Sequence, residues 1–356
     1  LEFYEESKIE SKEDRGIQFR SVQYNAALAR QLHNIEARVI AMHPDGYRPV
    51  AKGATPKERA SRLFNWASLY KNPVFLLLDH SRFDAHVNKW LLSEEHKFYL
   101  RARGYDAELK LLLDWQKANK GWSAGGIKYR MKAKRMSGDC NTALGNTVLN
   151  NAMLKAWLKA SGVKGHIMLD GDDSVIIIES EDEAKLLDVK AFMRELGMVT
   201  ECERTDNIWK AEFCQSRPVL IDGEPVYVRN PRKVLATVGQ SAQNLAPVTV
   251  KANIRASAMC ELAQNGACPV IGPLCNRLLD DLGSGGVMKS PSQVEKEMRL
   301  RLKLDQKYRA GTPDWWARWT FFLAWDIQPG EQEAMEQFES VFNRHELSDY
   351  DKECVV

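Results

Sequence analysis

Residues 166–178 read His166-Ile167-Met168-Leu169-Asp170-Gly171-Asp172-Asp173-Ser174-Val175-Ile176-Ile177-Ile178. Two apolar runs, the second of them rich in β-branched residues, flank a short acidic turn, and Gly171 is the residue type that takes positive φ without steric cost. The pattern predicts a β-hairpin with carboxylates at its tip. A solvated acidic turn has the same local signature, and a Gly-Asp-Asp triplet arises by chance in roughly one chain in ten of this size. Its meaning depends on what surrounds it.

Upstream stands Val74-Phe75-Leu76-Leu77-Leu78-Asp79-His80-Ser81-Arg82-Phe83-Asp84. A buried strand over 74–78 would deliver Asp79 at its carboxyl end. If that strand neighbours the hairpin, the Asp79 and Asp172 carboxylates converge. Hard oxygen donors of this kind suit Mg²⁺, which keeps waters and takes its remaining ligands from substrate phosphates. Two such ions about 4 Å apart clamp the attacking and leaving oxygens of a phosphoryl transfer. Asp84 lies past the strand end and need not serve a metal. Taken singly, each aspartate is more commonly a cap or turn residue.

Between the two acidic elements runs Arg135-Met136-Ser137-Gly138-Asp139-Cys140-Asn141-Thr142-Ala143-Leu144-Gly145-Asn146, followed by a helical pattern to about Ala160. Thr142 and Asn146, four apart, share a helix face, and polar side chains at that spacing can reach a ribose. The plain alternative is a helix start capped by Ser137 or Asp139.

Around this centre the 356 residues are 44% hydrophobic and 28% charged, which supports a folded protein of two or three domains and excludes disordered, collagen-like and disulfide-scaffold classes. The net charge of +2 hides an asymmetry: from Asp326 onward nine acids face two bases, net −7, which leaves +9 for the rest. A basic body with an acidic, solvated tail follows. Seven scattered cysteines without a CxxC pair indicate neither a disulfide framework nor a zinc knuckle, so a reducing cytosol is expected. The longest apolar stretches are too short to span a bilayer. The chain starts at Leu1 rather than Met, as a fragment or processed product would. Helices are predicted at 24–40, near 89–101 and 108–117, at 141–160 and at 183–196, with mainly helical sequence beyond Pro231.

The ordered set Asp79-x4-Asp84, Ser137-Gly138-x3-Thr142-x3-Asn146 and Gly171-Asp172-Asp173 resembles motifs A, B and C of the palm of viral RNA-dependent RNA polymerases. Lys8-Ile9-Glu10, with Arg15-Gly16-Ile17-Gln18-Phe19-Arg20-Ser21 and Tyr24-Asn25, resembles motif F of the tombusvirus-like polymerases, and Glu212-Phe213-Cys214-Gln215-Ser216 resembles their motif E. The likeness covers Lys8 to about Val228. It implies an α+β right-hand polymerase: partial fingers at 1–73, a palm with an antiparallel sheet at 74–229 carrying a fingers insertion at about 101–136, and a mostly helical thumb with an acidic tail at 230–356.

The resemblance also implies roles. Asp79 and Asp172 are expected as the main catalytic metal ligands, supported by Asp173, with Mg²⁺ or Mn²⁺ as the ion. Asp84 and Asn146, helped by Ser137 or Thr142 in the loop that begins Ser137-Gly138, are expected to read the ribose 2′-hydroxyl. A site built around a hydroxyl leaves its own polar groups unpaired when the hydroxyl is missing, hence a preference for ribonucleotides. Arg15, Arg20 and Lys8 are expected to grip the triphosphate, for which the planar guanidinium fork is well shaped. The implied reaction is template-directed RNA synthesis from ribonucleoside triphosphates, with RNA template and product and other viral replication proteins as partners. The implied location is host cytoplasm, at membrane-associated replication complexes reached through parts outside this chain.

The sequence departs from the family pattern in places. Motif D should carry a basic residue after Gly197, where Met198-Val199-Thr200-Glu201-Cys202-Glu203 follows instead, so Arg204, Lys210 and Lys190 are alternative candidates. Motif F begins almost at Leu1, so the upstream fingers segment is expected to be absent. Lys128, Arg130, Lys132, Lys134 and Arg135 form a basic run that either neutralises template phosphates or is a solvated face. The aromatic run Trp315 to Trp325 is taken as core, with base stacking as the alternative. A reverse transcriptase would share the palm and metals, but Asp84 occupies the place of its bulky steric gate. An inactive RNA-binding replication scaffold would bind through the basic segments alone, and an intact acidic set argues against it.

Overall fold

A computed structural model describes residues 17–123, 125–238, 247–283, 285 and 309–337. Lys8, Arg15 and most of the acidic C-terminal stretch lie outside the described residues. The described residues divide into two compact units, the first within Glu13–Gly53 and Asn65–Asn207, the second within Ala54–Phe64 and Ile208–Val356. Each has its own apolar core.

The first unit is built on a four-stranded antiparallel sheet in the order β4-β5-β1-β6, formed by β1 (Pro73–His80), β4 (Gly165–Asp170), β5 (Asp173–Glu179) and β6 (Thr200–Thr205). Val74, Phe75 and Leu76 are all buried, because β1 is a central strand covered on both faces. The predicted hairpin is present, with Asp170 opposite Asp173 and Gly171 at φ 68° as the first turn residue. Helix α1 (Val22–Ala41) starts where the Ser21 hydroxyl accepts from the Tyr24 amide, and Tyr24, Leu28, Leu32, Ile35 and Val39 give it one buried face. Helices α4 (Lys89–Arg103) and α5 (Ala107–Trp115) follow the short α3 (Phe83–His86). Helix α6 (Thr142–Ser161) buries Leu149, Leu154, Trp157 and Leu158 together with the polar Asn146, Thr147 and Asn150.

The helix expected over 183–196 is shorter. A 3₁₀ turn covers Ser180–Lys185, and α7 (Val189–Glu195) starts afresh because the Asp188 carboxylate accepts from the Lys190 and Ala191 amides. The basic run begins in a two-stranded ribbon of β2 (Ala118–Trp122) and β3 (Lys128–Lys132).

The second unit opens with most of α2 (Pro56–Ala67) and adds the hairpin of β7 (Ser216–Ile221) and β8 (Glu224–Arg229). Asp222 and Gly223 both take positive φ at its turn, the conformation for which Asp-Gly pairs are suited. Helices α8 (Pro231–Thr237), α9 (Pro247–Asn265), α10 (Ile271–Leu282), α11 (Trp315–Trp325) and α12 (Pro329–Glu336) complete it. The expectation that the aromatic run is core holds for one face of α11. Phe321, Ala324 and Trp325 are buried and the Thr320 hydroxyl accepts from the Leu220 amide of β7 at 3.0 Å. Trp315, Trp316 and Trp319 are exposed, because only one side of the helix meets the hairpin.

Candidate active site

Strand pairing brings the two acidic elements together. In the register of β1 and β5, Leu78 faces Ser174. Asp79 follows Leu78 and Asp173 precedes Ser174, so the two aspartates flank the end of one ladder, with Asp172 in the adjoining turn. Asp79, Asp172 and Asp173 are exposed at that edge.

Helix α6 fixes the turn from behind. The Asn150 amide donates to the carbonyls of Gly171 at 3.2 Å and Asp172 at 3.1 Å, and the Thr147 hydroxyl accepts from the Gly171 amide at 3.1 Å. The Asn150 oxygen in turn lies 3.1 Å from His80 Nε2, and His80 Nδ1 lies 2.8 Å from the Thr200 hydroxyl. With the Asn150 oxygen accepting, Nε2 carries the proton and Nδ1 accepts from Thr200. Burial holds His80 below the ordinary histidine pKa, which keeps this arrangement neutral. The residue beside Asp79 is thereby tied to the backbone that carries Asp172.

One helical turn away, Asn146 reaches the other half of the site. Its amide donates to Asp84 at 2.8 Å, and the Ser137 hydroxyl donates to the second Asp84 oxygen at 2.6 Å. The expected sugar-reading residues Asp84, Ser137 and Asn146 are therefore one bonded group. Behind it the Asn146 oxygen accepts from Arg135 Nε at 3.2 Å, and the Arg135 guanidinium forks onto the Glu95 carboxylate. Both side chains of that ion pair are 0% exposed. Burial works against the Arg135 charge, but Glu95 outweighs it and holds the guanidinium above its ordinary pKa. Asn141 also donates to Glu95, at 3.0 Å, and its own oxygen accepts from Gln116 at 2.8 Å. Gln116 donates to Asp139 as well, at 3.1 Å, and Asp139 is paired to Arg20.

Three side chains differ from expectation in what they touch. Arg20, expected on the triphosphate, forms an ion pair with the buried Asp139 and donates to Asn119. Burial pushes the Asp139 carboxyl upward while Arg20 works against it. The Thr142 hydroxyl lies within hydrogen-bond reach of the Met136 and Asp139 carbonyls, closing the start of α6 rather than presenting itself to a sugar. Arg135, counted with the phosphate-neutralising run, is buried and committed to Glu95. Gly138 allows the close approach of the segment that carries Arg20: a Cβ there would collide with the Gln18 carbonyl, and the Asn25 amide donates to the Gly138 carbonyl at 3.2 Å. Of the motif D candidates, Lys190 pairs with Glu201 and Arg204 with Glu183 and Asp206 in the first unit, and Lys210 pairs with Asp326 in the second.

Glu95, Gln116, Asn141, Thr147, Asn150 and His80 were absent from the sequence-based set. Only Asn150 carried a local signal, four residues beyond Asn146 on the same helix face. Glu95 looks in sequence like any surface acid of an amphipathic helix.

Among the described residues, no three His, Cys, Asp or Glu side chains are gathered closely enough to form a metal cage. The exposed aspartates at the sheet edge nevertheless suit Mg²⁺ in kind, because that ion is commonly held by one or two carboxylates plus substrate phosphates rather than by an all-protein cage.

Residues 3–347 match the family model described as viral RNA dependent RNA polymerase. Similar proteins include the RNA-directed RNA polymerases of Tobacco necrosis virus (strain A), 33% identical over 96% of this chain and 48% of the relative, and of Melon necrotic spot virus, 33% identical over 90% and 42%. That of Panicum mosaic virus is 31% identical over 91% of this chain and 34% of the relative. The chain belongs to the viral RNA-dependent RNA polymerase family, its α+β fold agrees with that membership, and the tombusvirus-like resemblance is borne out. It spans less than half the length of each of these relatives.

Proposed function

We propose that this chain is the polymerase region of a viral replicase and extends an RNA 3′ end on an RNA template, consuming ribonucleoside triphosphates and releasing pyrophosphate. The observation that carries this reading is the adjacency of Asp79 and the Gly171–Asp173 turn across one strand ladder, beside the bonded group of Asp84, Asn146 and Ser137. In this assignment the sheet of the first unit lies within the palm of residues 74–229, with partial fingers at 1–73, a fingers insertion at about 101–136 and a thumb from 230.

Asp79 and Asp172, with Asp173 in support, would hold divalent cations, Mg²⁺ or Mn²⁺. When bound, such ions supply positive charge to the attacking and leaving oxygens of an in-line displacement. The protein's own contribution is placement. His80, Asn150 and Thr147 hold the turn backbone, so the Asp172 carboxylate is presented from a rigid element. Asp84 and Asn146 bond to each other, so a ribose 2′-hydroxyl that displaces part of that bond must replace it. A deoxyribose leaves the polar groups without that partner.

The test is Asp172→Asn in a template-directed extension assay with purified protein. Incorporation should fall to background while circular dichroism and RNA affinity stay at wild-type levels, since Asp172 is exposed and the substitution keeps the backbone carbonyl that accepts from Asn150. An active variant refutes the assignment. Among the described residues no helix is long and apolar enough to cross a membrane.

A further inference from the structure

We propose that the outer face of the β2–β3 ribbon binds single-stranded RNA, with Lys120, Lys128, Arg130 and Lys132 on phosphates and Trp122 stacked on a base. The choice of RNA as the polyanion rests on the function proposed above. The face itself is a matter of register: Ala118 stands opposite Lys132, Lys120 opposite Arg130 and Trp122 opposite Lys128. Directly opposed residues in an antiparallel pair share a face, and every second residue along each strand does too. Four cations and one tryptophan therefore line a single side of the ribbon without an acid among them.

The opposite side is already engaged. Asn119 is buried and accepts from Arg20, and the Tyr129 hydroxyl donates to Gln18. The ribbon is thus held by the 17–20 segment through one face and leaves the basic one outward, with all four cations exposed and Trp122 78% exposed. Several surface bases of the same unit are neutralised locally: Lys97 by Glu94, Lys110 and Lys117 by Asp114, Lys185 by Asp182. Among the described residues none of the four ribbon cations has an acidic partner. Like charges opposed or two apart on a strand repel, a cost that a polyanion removes.

Along β3 the three cations stand about 7 Å apart, given roughly 3.4 Å per residue, so they track an extended backbone rather than one phosphate. An unpaired strand is the form that also leaves bases free to stack on an exposed indole.

The experiment is fluorescence anisotropy of a labelled single-stranded RNA oligomer without nucleotides or added metal, over a series of salt concentrations. Replacing Lys120, Lys128, Arg130 and Lys132 by Gln should flatten the slope of log affinity against log salt by about 0.7 for each phosphate that is no longer neutralised, approaching 3 for all four. Arg130→Gln alone should flatten it by about 0.7. Trp122→Ala should weaken binding about fivefold or more and leave the slope unchanged. A paired control, Lys97→Gln with Lys110→Gln, should keep the wild-type slope. The Asp172→Asn protein should bind as wild type does, so loss of extension activity and loss of ribbon binding are read separately. A wild-type slope in the fourfold variant overturns the proposal and returns the face to another acidic partner such as a protein. Equal weakening towards duplex RNA with a silent Trp122→Ala overturns the single-strand assignment.

Discussion

Glu95→Gln tests how much stability comes from the buried Arg135–Glu95 pair that lies behind the bonded group of Asp84, Ser137 and Asn146. The substitution keeps the size of the side chain and removes one charge from an ion pair whose two partners are 0% exposed. Arg135 then remains buried without its ion-pair partner. Breaking a buried pair from one side costs about 3–5 kcal/mol, a large share of the roughly 5–15 kcal/mol that separates folded from unfolded protein. With a urea m-value of about 1–3 kcal/mol/M, the midpoint of unfolding should fall by at least about 1 M. Unfolding is followed by circular dichroism at pH 7. The companion variant, Glu95→Leu with Arg135→Met, removes both charges and should recover only part of the loss, because the buried Asn141 amide and Asn146 oxygen lose their partners. A Glu95→Gln midpoint within about 0.3 M of wild type would show that the pair is solvated or dispensable.

Three further outcomes follow from the same network. Asp84→Ala or Asn146→Ala should reduce discrimination between ribo- and deoxyribonucleotides in steady-state extension, and unchanged sugar selectivity would remove both from that role. His96 is buried with Nδ1 lacking a protein partner while Nε2 lies 3.0 Å from the Gln116 oxygen, and burial lowers its pKa to about 4. Its unfolded form takes up a proton below about 6.5 and its folded form does not, so stability is full above pH 6.5 and falls towards pH 4, by about 3 kcal/mol at about 1.36 kcal/mol per unit. His96→Gln should flatten that part of the pH–stability curve; an unaltered curve would place the titration elsewhere. Gly138→Ala drives a methyl group into the Gln18 carbonyl and should cost about 1–3 kcal/mol while loosening the segment that carries Arg20, read as faster amide exchange over 17–20.

Much of the site was readable because its signals are local. A glycine between two apolar runs makes a hairpin wherever the runs pair, and a strand through Val74 to Leu78 carries Asp79 near its carboxyl end whatever lies beside it. Asn146 and Thr142 share a helix face by the period of the helix alone. Yet sharing a face did not settle their roles: Asn146 meets Asp84, whereas the Thr142 hydroxyl turns back to the Met136 and Asp139 carbonyls. Backbone groups at a helix start are short of partners, and a hydroxyl at the first helical position is well placed to serve the loop that precedes it.

By itself the sequence determined the family, the α+β class and the order in which acidic strand end, Ser-Gly loop and acidic turn reach the site. Each depends on residues close together in the chain or on the periods of strand and helix. Only the tertiary structure decided which charges are free to meet a substrate. Arg135 and Lys132 look alike in sequence, but Glu95 from α4 buries and neutralises the first while the ribbon exposes the second. Arg20 is held by Asp139 and the tryptophans of α11 are split between core and solvent for the same reason. Burial and pairing are properties of neighbours brought from far along the chain, and no local pattern carries them.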